Sequence, residues 1–385
     1  MYPGDHDPDG VPLIKAGDLN GSIINPQPDF RISKDKHYEY RRTALEGGEL
    51  LMTLVGNVGQ CAVVPPRMAG WNTARAVAVM RLSDSSETHF VQQCLLSRPL
   101  QHLMDVWCNT TVQATLNLKE IRQLPLPWPP KQSRDAIAAF GRALDDKIEL
   151  NRRMNATLEA MARALFQSWF VDFDPVRAKL DGRLPVGMDA ETAAMFPAGF
   201  DEYGRPEGWS EKRVDEIMVL AYGKALKSTI RVDGSVPVYG SGGLTGFHNQ
   251  ALEKGPSIIV GRKGTVGSLY WEDRPFYPID TVFYVQPIVP LTFCFYLLQT
   301  LGLENLNTDA AVPGLNRNNV YRLPVPWAGT LINCAFDRLV TPIRQKIYAN
   351  AKQSRTLATL RDTLLPKLLS GELSVAGASA ELTAQ

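Results

Sequence analysis

A long-range internal repeat constrains the fold of this chain more than any other feature of its sequence. Leu124–Trp128, with the sequence LPLPW, recurs 199 residues later as Leu323–Trp327, with the sequence LPVPW. Upstream, Gly56–Gly59 (GNVG) matches Gly264–Gly267 (GTVG) at a separation of 208 residues. The order of the matched segments is kept while their separation changes, which indicates loop insertions within two related halves. The chain is therefore expected to contain two similar domains.

Each half begins with a region that is rich in short strands. Runs of apolar and β-branched residues, such as Leu50–Val55 and Ser257–Val260, are separated by Gly, Pro, Asn and Asp. This pattern is typical of buried strands joined by turns. A helical stretch follows the strands in each half. We predict two strand-rich α+β domains, at residues 1–130 and 206–329.

The second part of each half, residues 131–171 and 330–371, is predicted to form one long helix with an apolar stripe. Two positions of a seven-residue repeat carry the stripe, and the second position falls three residues after the first. The residues predicted at the helix–helix contact are Ile137, Phe140, Leu144, Asn151, Leu158, Leu165, Phe336, Leu339, Ile343, Asn350, Leu357 and Leu364. A stripe of this length favours packing of the two helices on each other. Packing of each helix on its own domain is the alternative.

Asn151 and Asn350 interrupt the two stripes at matching places. A buried Asn in such a contact lowers stability but fixes the register of the helices. A solvated Asn in the middle of a helix is the alternative interpretation. The sequence does not decide between them.

A connector, residues 172–205, is rich in Pro, Gly and Asp and ends the first long helix. Each domain precedes its own helix, so the two helices are predicted to run antiparallel as a coiled coil. Residues 372–385 are expected to form a C-terminal tail. The predicted fold class is α+β, with two similar domains that are each followed by one of the paired helices.

Composition excludes several classes of protein but leaves nucleic-acid binding undecided. The formal net charge is +1, so a DNA-binding surface would need basic groups that are concentrated locally. The five cysteines form no CxxC pair and only five histidines occur, so reduced thiols and no metal site are expected. The sequence has neither a long apolar run nor a signal peptide. A cytoplasmic protein without a membrane partner is therefore expected.

Two related but divergent domains on a helix pair suit a DNA target in two unlike halves. Val55–Asn57 in the first repeat corresponds to Lys263–Thr265 in the second, and Arg262 comes directly before that segment. Asn72 in the first repeat is matched with Asp280 in the second. Arg prefers a guanine edge, Asn an adenine edge, and Asp can accept a hydrogen bond from cytosine. The candidate DNA-binding residues are Lys15, Arg41, Arg42, Asn57, Asn72, Lys224, Ser241, Arg262, Lys263, Thr265, Asp280 and Arg317.

Each of these candidates also has a structural interpretation. The two Gly-x-x-Gly loops are equally typical of tight turns. Asn72 and Asp280 could form turns. The Lys and Arg side chains could be solvated surface charges.

Taken together, the motifs resemble those of the specificity subunits of type I restriction–modification systems. The matching segments are Val11–Asp18, Leu50–Gly59, Leu124–Pro129, Leu165–Pro175, Pro206–Trp209, Gly261–Gly267, Ala311–Asn316 and Leu364–Leu373. Each segment is a weak signal alone, but they occur in order over nearly the whole chain. The resemblance implies a subunit that binds double-stranded DNA sequence-specifically. It also implies a complex with two DNA-adenine methyltransferase subunits and with restriction subunits that act as motor and nuclease.

The resemblance further implies that this chain is not itself an enzyme. S-adenosylmethionine, ATP and Mg would belong to the partner subunits. In agreement, the sequence contains no GxxxxGK phosphate loop and no Asn/Asp-Pro-Pro-Tyr/Phe tetrad. The alternatives are a specificity subunit of a type II-like system, a fragment of a bifunctional enzyme, and a coiled-coil scaffold from a truncated allele.

The two halves differ at their starts. The second half begins at Pro206 and reaches Val236 after 30 residues, while the first half reaches the matching Val11 almost at once. A misplaced gene start or a truncation is therefore expected to leave the first domain without its opening strand.

Overall fold

The computed structural model describes residues 3–108, 114–306 and 314–377. Part of the predicted Ala311–Asn316 motif and most of the predicted tail lie outside the described residues.

The chain forms two compact units. The first unit comprises Met1–Arg153 and Ala351–Gln385, and the second comprises Met154–Asn350. The boundary falls inside both long helices, so each unit contains one strand-rich region and part of each helix.

The first unit is built on a three-stranded antiparallel sheet and a smaller mixed sheet. Its strands are β1 (Val11–Ile14), β2 (Leu19–Asn20), β3 (Ile23–Ile24), β4 (Arg31–Ile32), β5 (Leu50–Thr53), β6 (Cys61–Val63), β7 (Asn72–Thr73) and β8 (Val77–Met80). Its helices are α1 (Lys34–Glu39), α2 (Thr88–Leu96), α3 (Arg98–Trp107), α4 (Leu118–Ile121) and the start of α5 (Lys131–Phe170). The larger sheet has the order β6–β5–β8 and the smaller one β4–β1–β7.

The core of the first unit lies between the larger sheet and the helices. Leu50 and Met52 of β5 are fully buried beside Phe90 and Cys94 of α2. Ile137 of α5 joins the same core. The continuous apolar run that predicted a buried strand therefore forms the central strand of this sheet.

The second unit has a four-stranded antiparallel sheet, a three-stranded mixed sheet and a two-stranded ribbon. Its strands are β9 (Ser210–Arg213), β10 (Met218–Tyr222), β11 (Val236–Gly240), β12 (Gly243–His248), β13 (Ser257–Gly261), β14 (Leu269–Glu272), β15 (Tyr277–Pro278), β16 (Val282–Pro287) and β17 (Pro324–Trp327). Its helices are α6 (Asp174–Leu180), α7 (Ala190–Met195), α8 (Leu291–Thr300), α9 (Arg317–Tyr321) and the start of α10 (Thr330–Ser370). The sheet orders are β10–β16–β13–β14, β12–β11–β15 and β17–β9.

Strand pairing gives a structural alignment of the two repeats. β1 runs parallel to β7 with Leu13 opposite Asn72, and β11 runs parallel to β15 with Val238 opposite Tyr277. Leu13 and Val238 are matched residues of the repeat, so Asn72 corresponds to Tyr277. The separation at this point is 205 residues rather than 208.

This alignment corrects one match made from the sequence. Asn72 and Asp280 are not equivalent, because the 205-residue separation places Arg75 at the position of Asp280. The backbone confirms the shift, since Leu54 N–H donates to Ala76 and the matching Arg262 N–H donates to Thr281. A three-residue difference in the loop before these strands misled the sequence comparison.

The larger sheets differ by one strand. β10 pairs with β16 along its whole length in the second unit, from Met218 opposite Pro287 to Tyr222 opposite Phe283. In the described part of the first unit, the equivalent sheet contains β6, β5 and β8 only. β10 lies in the segment of the second half that has no counterpart in the first.

The β17–β9 ribbon places the Leu-Pro-Val-Pro-Trp motif in a strand. Pro324 lies opposite Arg213 and Trp327 lies opposite Ser210. Because Pro has no N–H group, the donors of this strand are Val325 and Trp327. Val325 is fully buried in the core of the second unit.

The long helices pack against each other in antiparallel fashion, as predicted. In the first unit, Arg361 donates to Asp145 at 2.6 Å and Asn151 donates to Gln353 at 2.9 Å. Residue numbers thus rise along α5 as they fall along α10.

The same antiparallel arrangement continues in the second unit. Asn350 donates to Asn155 at 2.9 Å, and Arg344 forms a 2.7 Å ion pair with Glu159. Asn151 and Asn350 are both buried. The two residues are therefore buried rather than solvated, and each donates a hydrogen bond to the other helix.

One predicted contact residue, Leu339, does not lie in the contact, because it is 46% exposed. Phe140 is partly buried against a core that also contains Leu364 and Leu365 of α10. Gln353 of the predicted second position accepts from Asn151, and residues four positions after the first position also contact the other helix. Those with a contact between the two helices are Asn155, Trp169, Ile347, Ser354 and Arg361. The remaining predicted contact residues at the first position are buried or partly buried.

Candidate nucleic-acid interface

In the second unit, two arginines stack on one tyrosine at an edge of the four-stranded sheet. Tyr222 ends β10, Arg262 follows β13, and Arg317 begins α9. The guanidinium carbons of Arg262 and Arg317 lie 4.9 and 4.8 Å from the centroid of the Tyr222 ring. The ends of β10 and β13 and the start of α9 therefore bring together three residues that are distant in sequence. We call these three residues the Tyr222 cluster.

The backbone holds both guanidinium groups in place. Arg262 Nη1 donates to the carbonyl of Asp280 at 3.0 Å, and Arg317 Nη1 donates to the carbonyl of Leu220 at 3.3 Å. Arg317 Nε is buried and has no hydrogen-bond partner among the described residues. Each side chain keeps further N–H groups that can donate, because a guanidinium has five.

The cluster borders a surface recess of about 220 Å³ that is also lined by Lys263 and Asn316. Lys263 and Thr265 are exposed on the turn between β13 and β14. Gly264 adopts φ +84° there, which favours glycine. The turn is thus a tight one, and it presents basic and hydroxyl donors at the surface. Such donors bind phosphates or guanine edges.

The other residues predicted in this unit lie around the same edge. Lys224 and Asp280 are exposed, and the Lys224 N–H donates to the carbonyl of Pro278 at 3.0 Å. Ser241 is partly buried, and its carbonyl accepts from Ser268 Oγ at 2.6 Å. Asp280 contacts Arg262 of the cluster through its backbone carbonyl, and its side chain is exposed at the surface.

Among the described residues of the first unit, the positions that match Arg262 and Arg317 carry no arginine. Val55 forms an isolated β-bridge with Thr115, and Lys263 forms the equivalent β-bridge with Gly314. These bridges confirm that Val55 and Lys263 are matched residues of the repeat. Leu54, Val55 and Leu118 occupy the positions of Arg262, Lys263 and Arg317. Asn57 is exposed on the matching turn.

Basic residues of the first unit occur on a short arm that follows β4. We call Ser33–Thr43 the basic arm; it contains α1 and a 3-10 turn at Arg41–Thr43. Arg41 and Arg42 are exposed on this turn. Lys15 lies elsewhere, in a 2.8 Å ion pair with Asp29, and its hydrogen bond lowers the pKa of that carboxyl group.

Asn72 is placed where it cannot reach a base. Its side chain is fully buried on β7, with Oδ1 accepting from Thr43 Oγ1 at 2.6 Å. The position argues against the direct base contact that the sequence suggested. Instead, Asn72 holds the basic arm against the sheet.

Sequence reasoning missed two exposed tyrosines, Tyr222 and Tyr38. Tyr222 is the last residue of β10, and Tyr38 lies in α1 with 72% of its side chain exposed. Large aromatic side chains at the surface beside Lys and Arg are a recognisable signal for nucleic-acid binding.

No group of three or more His, Cys, Asp or Glu side chains in the described ranges is arranged to hold a metal ion. Among the same residues, no helix is long and apolar enough to cross a membrane.

A family model for the type I restriction modification DNA specificity domain matches residues 5–160 and 206–326. The chain belongs to this family. The two matched stretches contain the two strand-rich regions described above, so the internal repeat is a repeat of this domain.

Curated relatives include the HindI specificity subunit of Haemophilus influenzae, which is 27% identical over 67% of this chain and 71% of that protein. The MjaIX specificity subunit of Methanocaldococcus jannaschii is 24% identical over 66% of this chain and 62% of that protein. The EcoBI specificity subunit of Escherichia coli is 27% identical over 43% of this chain and 36% of that protein.

A crystal structure of a type I restriction–modification S subunit from M. genitalium supports the fold. It aligns with a TM-score of 0.54 and 19% identity over 94% of this chain and 90% of that chain. At this identity the likeness concerns the fold alone.

Proposed function

We propose that this chain, as a specificity subunit of a type I restriction–modification system, reads a DNA target in two parts, one with each unit. The Tyr222 cluster is the observation that carries this proposal. Two guanidinium groups and an exposed lysine converge on one recess. Arg presents a fork of donors that matches the O6 and N7 acceptors of guanine.

The proposal assigns catalysis to partner subunits. Two DNA-adenine methyltransferase subunits would join this chain, and restriction subunits that act as motor and nuclease would join for cleavage. S-adenosylmethionine, ATP and Mg would bind those subunits rather than this one. Family membership supports assembly into such a complex, and the particular partners are part of the proposal.

The proposal is tested by the methylation pattern of the assembled complex. The chain is combined with candidate methyltransferase subunits from the same genome, and methylated adenines are mapped by sequencing on a genomic substrate. We expect a motif in two halves separated by a gap of fixed length. Methylation without a split motif would contradict the proposal.

Arg262→Ala tests the Tyr222 cluster in the same assay. We expect discrimination at one base pair to fall by about 1–3 kcal/mol, because a bidentate contact to guanine is lost. The other half of the motif stays unchanged. Arg183→Ala is the matched control, since Arg183 is an exposed arginine of the same unit that pairs with Asp181 at 2.7 Å. A uniform weakening on all sequences would show that Arg262 contacts phosphate instead.

A further inference from the structure

No counterpart of the basic arm lies between β11 and β13, a stretch of the second unit that the structure describes throughout. Between the matched strands β1 and β5, the first unit contains three further strands, α1 and the 3-10 turn, whereas the second unit has only β12 between β11 and β13. The first unit therefore presents a contact element of a different kind. Its sequence from Lys34 to Arg42 is KDKHYEYRR.

The charge of the arm is positive at its exposed surface. Lys34, Arg41 and Arg42 are exposed, and Lys36 forms a 2.9 Å ion pair with Glu39. Asp35 is the other acidic residue of the arm. Lys36 neutralises Glu39, so Lys34, Arg41 and Arg42 remain as exposed cations of the arm. A local concentration of positive charge is typical of a phosphate-binding element.

Tyr38 is the exposed aromatic residue of the arm. With 72% of its side chain exposed, it leaves most of its ring in water, and the Arg41 guanidinium carbon lies 5.9 Å from the ring centroid. A ring so placed gains by apolar contact with the thymine methyl groups that the major groove of a duplex exposes.

Asn72 fixes the arm to β7 at several points along its length. Thr43 Oγ1 donates to Asn72 Oδ1 at 2.6 Å, and Asn72 Nδ2 donates to the carbonyl of Tyr40 at 3.3 Å. Asn72 Nδ2 also lies 3.3 Å from His37 Nδ1. The Thr73 N–H donates to Asn72 Oδ1 at 2.8 Å, so the side chain and the strand are oriented together. One buried amide thereby sets the position of α1 and the turn.

We propose that the basic arm enters a groove of the first half-site, where Tyr38 contacts bases and determines specificity while Lys34, Arg41 and Arg42 contact phosphates. Asn72 acts as a positioning residue and does not touch the DNA. This inference rests on the proposed function, and it assigns the reading of one half-site to a segment that has no counterpart between β11 and β13 of the second unit.

Tyr38→Ala in the assembled methyltransferase tests the role of the ring. We expect discrimination at one or more base pairs of a single half-site to fall about 10-fold, because the aromatic contact is lost. Tyr38→Phe keeps the ring and is expected to keep the specificity. The other half-site serves as an internal reference.

Tyr203→Ala is the matched control. Tyr203 is 74% exposed and lies beside an arginine, with the Arg205 guanidinium carbon 5.0 Å from its ring centroid, but it belongs to the connector. A split motif that is the same for the wild type, Tyr203→Ala and Tyr38→Ala would overturn the inference and leave the proposed function standing. The absence of any split motif from the wild type would overturn both.

Asn72→Ala tests the positioning role. We expect it to reduce discrimination at the half-site that Tyr38→Ala affects, while the other half-site is read normally. The measurement is made well below the thermal midpoint of the variant, which is determined in parallel. Equal loss at both half-sites, or no loss, would overturn the positioning role.

Discussion

At the scale of single residues, Glu87 joins the first domain to the start of α5. Arg134 donates to its carboxylate from Nε at 2.9 Å and from Nη2 at 2.7 Å. The Arg134 guanidinium also lies 4.4 Å from the centroid of the Trp128 ring. Glu87 is buried, and the hydrogen bonds from Arg134 hold the pKa of its carboxyl group below the ordinary value. The charged form therefore stabilises the fold.

Replacement of Glu87 by Gln should change how stability depends on pH. A depressed carboxyl pKa contributes stability that is complete above the ordinary value of about 4.3 and is lost as the pH falls through the native value. We expect the wild type to unfold at a higher temperature than Glu87→Gln at pH 7, and the difference to shrink below about pH 4. Thermal unfolding measured between about pH 3 and pH 7 checks this, since the range includes the ordinary pKa of a carboxyl group.

Glu39→Gln is a suitable control, because Glu39 is exposed and its ion pair with Lys36 lies on the surface. Exposed pairs contribute about 0–1 kcal/mol. A difference between the wild type and Glu87→Gln that stays constant from neutral to acidic pH would contradict the assignment.

Some site residues could be recognised from the sequence and others could not. Arg262 and Lys263 follow an apolar run and precede a Gly-x-x-Gly turn, which marks them locally. Asn72 bonds to Thr43 and contacts His37, which are 29 and 35 residues away. Its burial depends on this tertiary folding, so a local pattern cannot reveal it.

At the scale of elements, the helix seam combines apolar and polar residues. Arg361 is on the seam through its ion pair with Asp145. Leu339 is apolar and yet exposed. A count of apolar residues therefore identified the first seam position, but it could not show that a charged residue such as Arg361 also takes part in the seam.

Asn155 and Asn350 should show strong energetic coupling. Asn350 Nδ2 donates to Asn155 Oδ1, and Asn155 Nδ2 donates to the carbonyl of Ile347 at 3.1 Å. Asn350→Leu alone removes the donor to Asn155 Oδ1 and leaves that buried oxygen without this hydrogen bond. We therefore expect the substitution to lower the free energy of unfolding. Asn155→Leu with Asn350→Leu removes both groups and should be less destabilising than the sum of the single changes, with a coupling of about 0.5–3 kcal/mol.

Denaturant unfolding of the wild type, both single variants and the double variant measures this coupling. Additive changes would show that the two amides act independently. Leu158→Ala provides a reference for loss of apolar packing alone, because Leu158 is a partly buried apolar residue of the same seam.

At the scale of the whole molecule, the two units share a strand plan but carry different basic elements. The first presents the basic arm and the second presents the Tyr222 cluster beside Lys263. The salt dependence of DNA binding should show whether both basic elements contact phosphates. Each phosphate contact that is removed lowers the magnitude of the slope of log K against log salt by about 0.9. We expect Arg41→Ala with Arg42→Ala to lower it by about 1.8 and Lys263→Ala by about 0.9.

The combined variant should lower the slope by the sum of these amounts, since the changes lie in separate units. Titration of the assembled complex with duplex DNA over a range of KCl concentrations provides the measurement. An unchanged slope with weaker affinity would indicate base contacts rather than phosphate contacts. Arg183→Ala again serves as the control.

The general plan of the molecule could be predicted from the sequence because its signals are periodic. The internal repeat predicted two related α+β domains, and the sustained heptads predicted an antiparallel helix pair. The pairing of β10 with β16 and the 205-residue correspondence of Asn72 with Tyr277 could not be predicted. Both depend on which strands meet across loops of unequal length, and the sequence carries no periodic signal for that choice.

The alternating prolines of β17 have a consequence for the behaviour of the protein in concentrated solution. Val325 and Trp327 direct their N–H groups toward β9, while the opposite side of the strand offers only the carbonyl groups of Pro324 and Pro326. A further strand would find acceptors there but no donors. The ribbon therefore ends at two strands, and this edge resists the edge-to-edge stacking by which exposed strands assemble into aggregates.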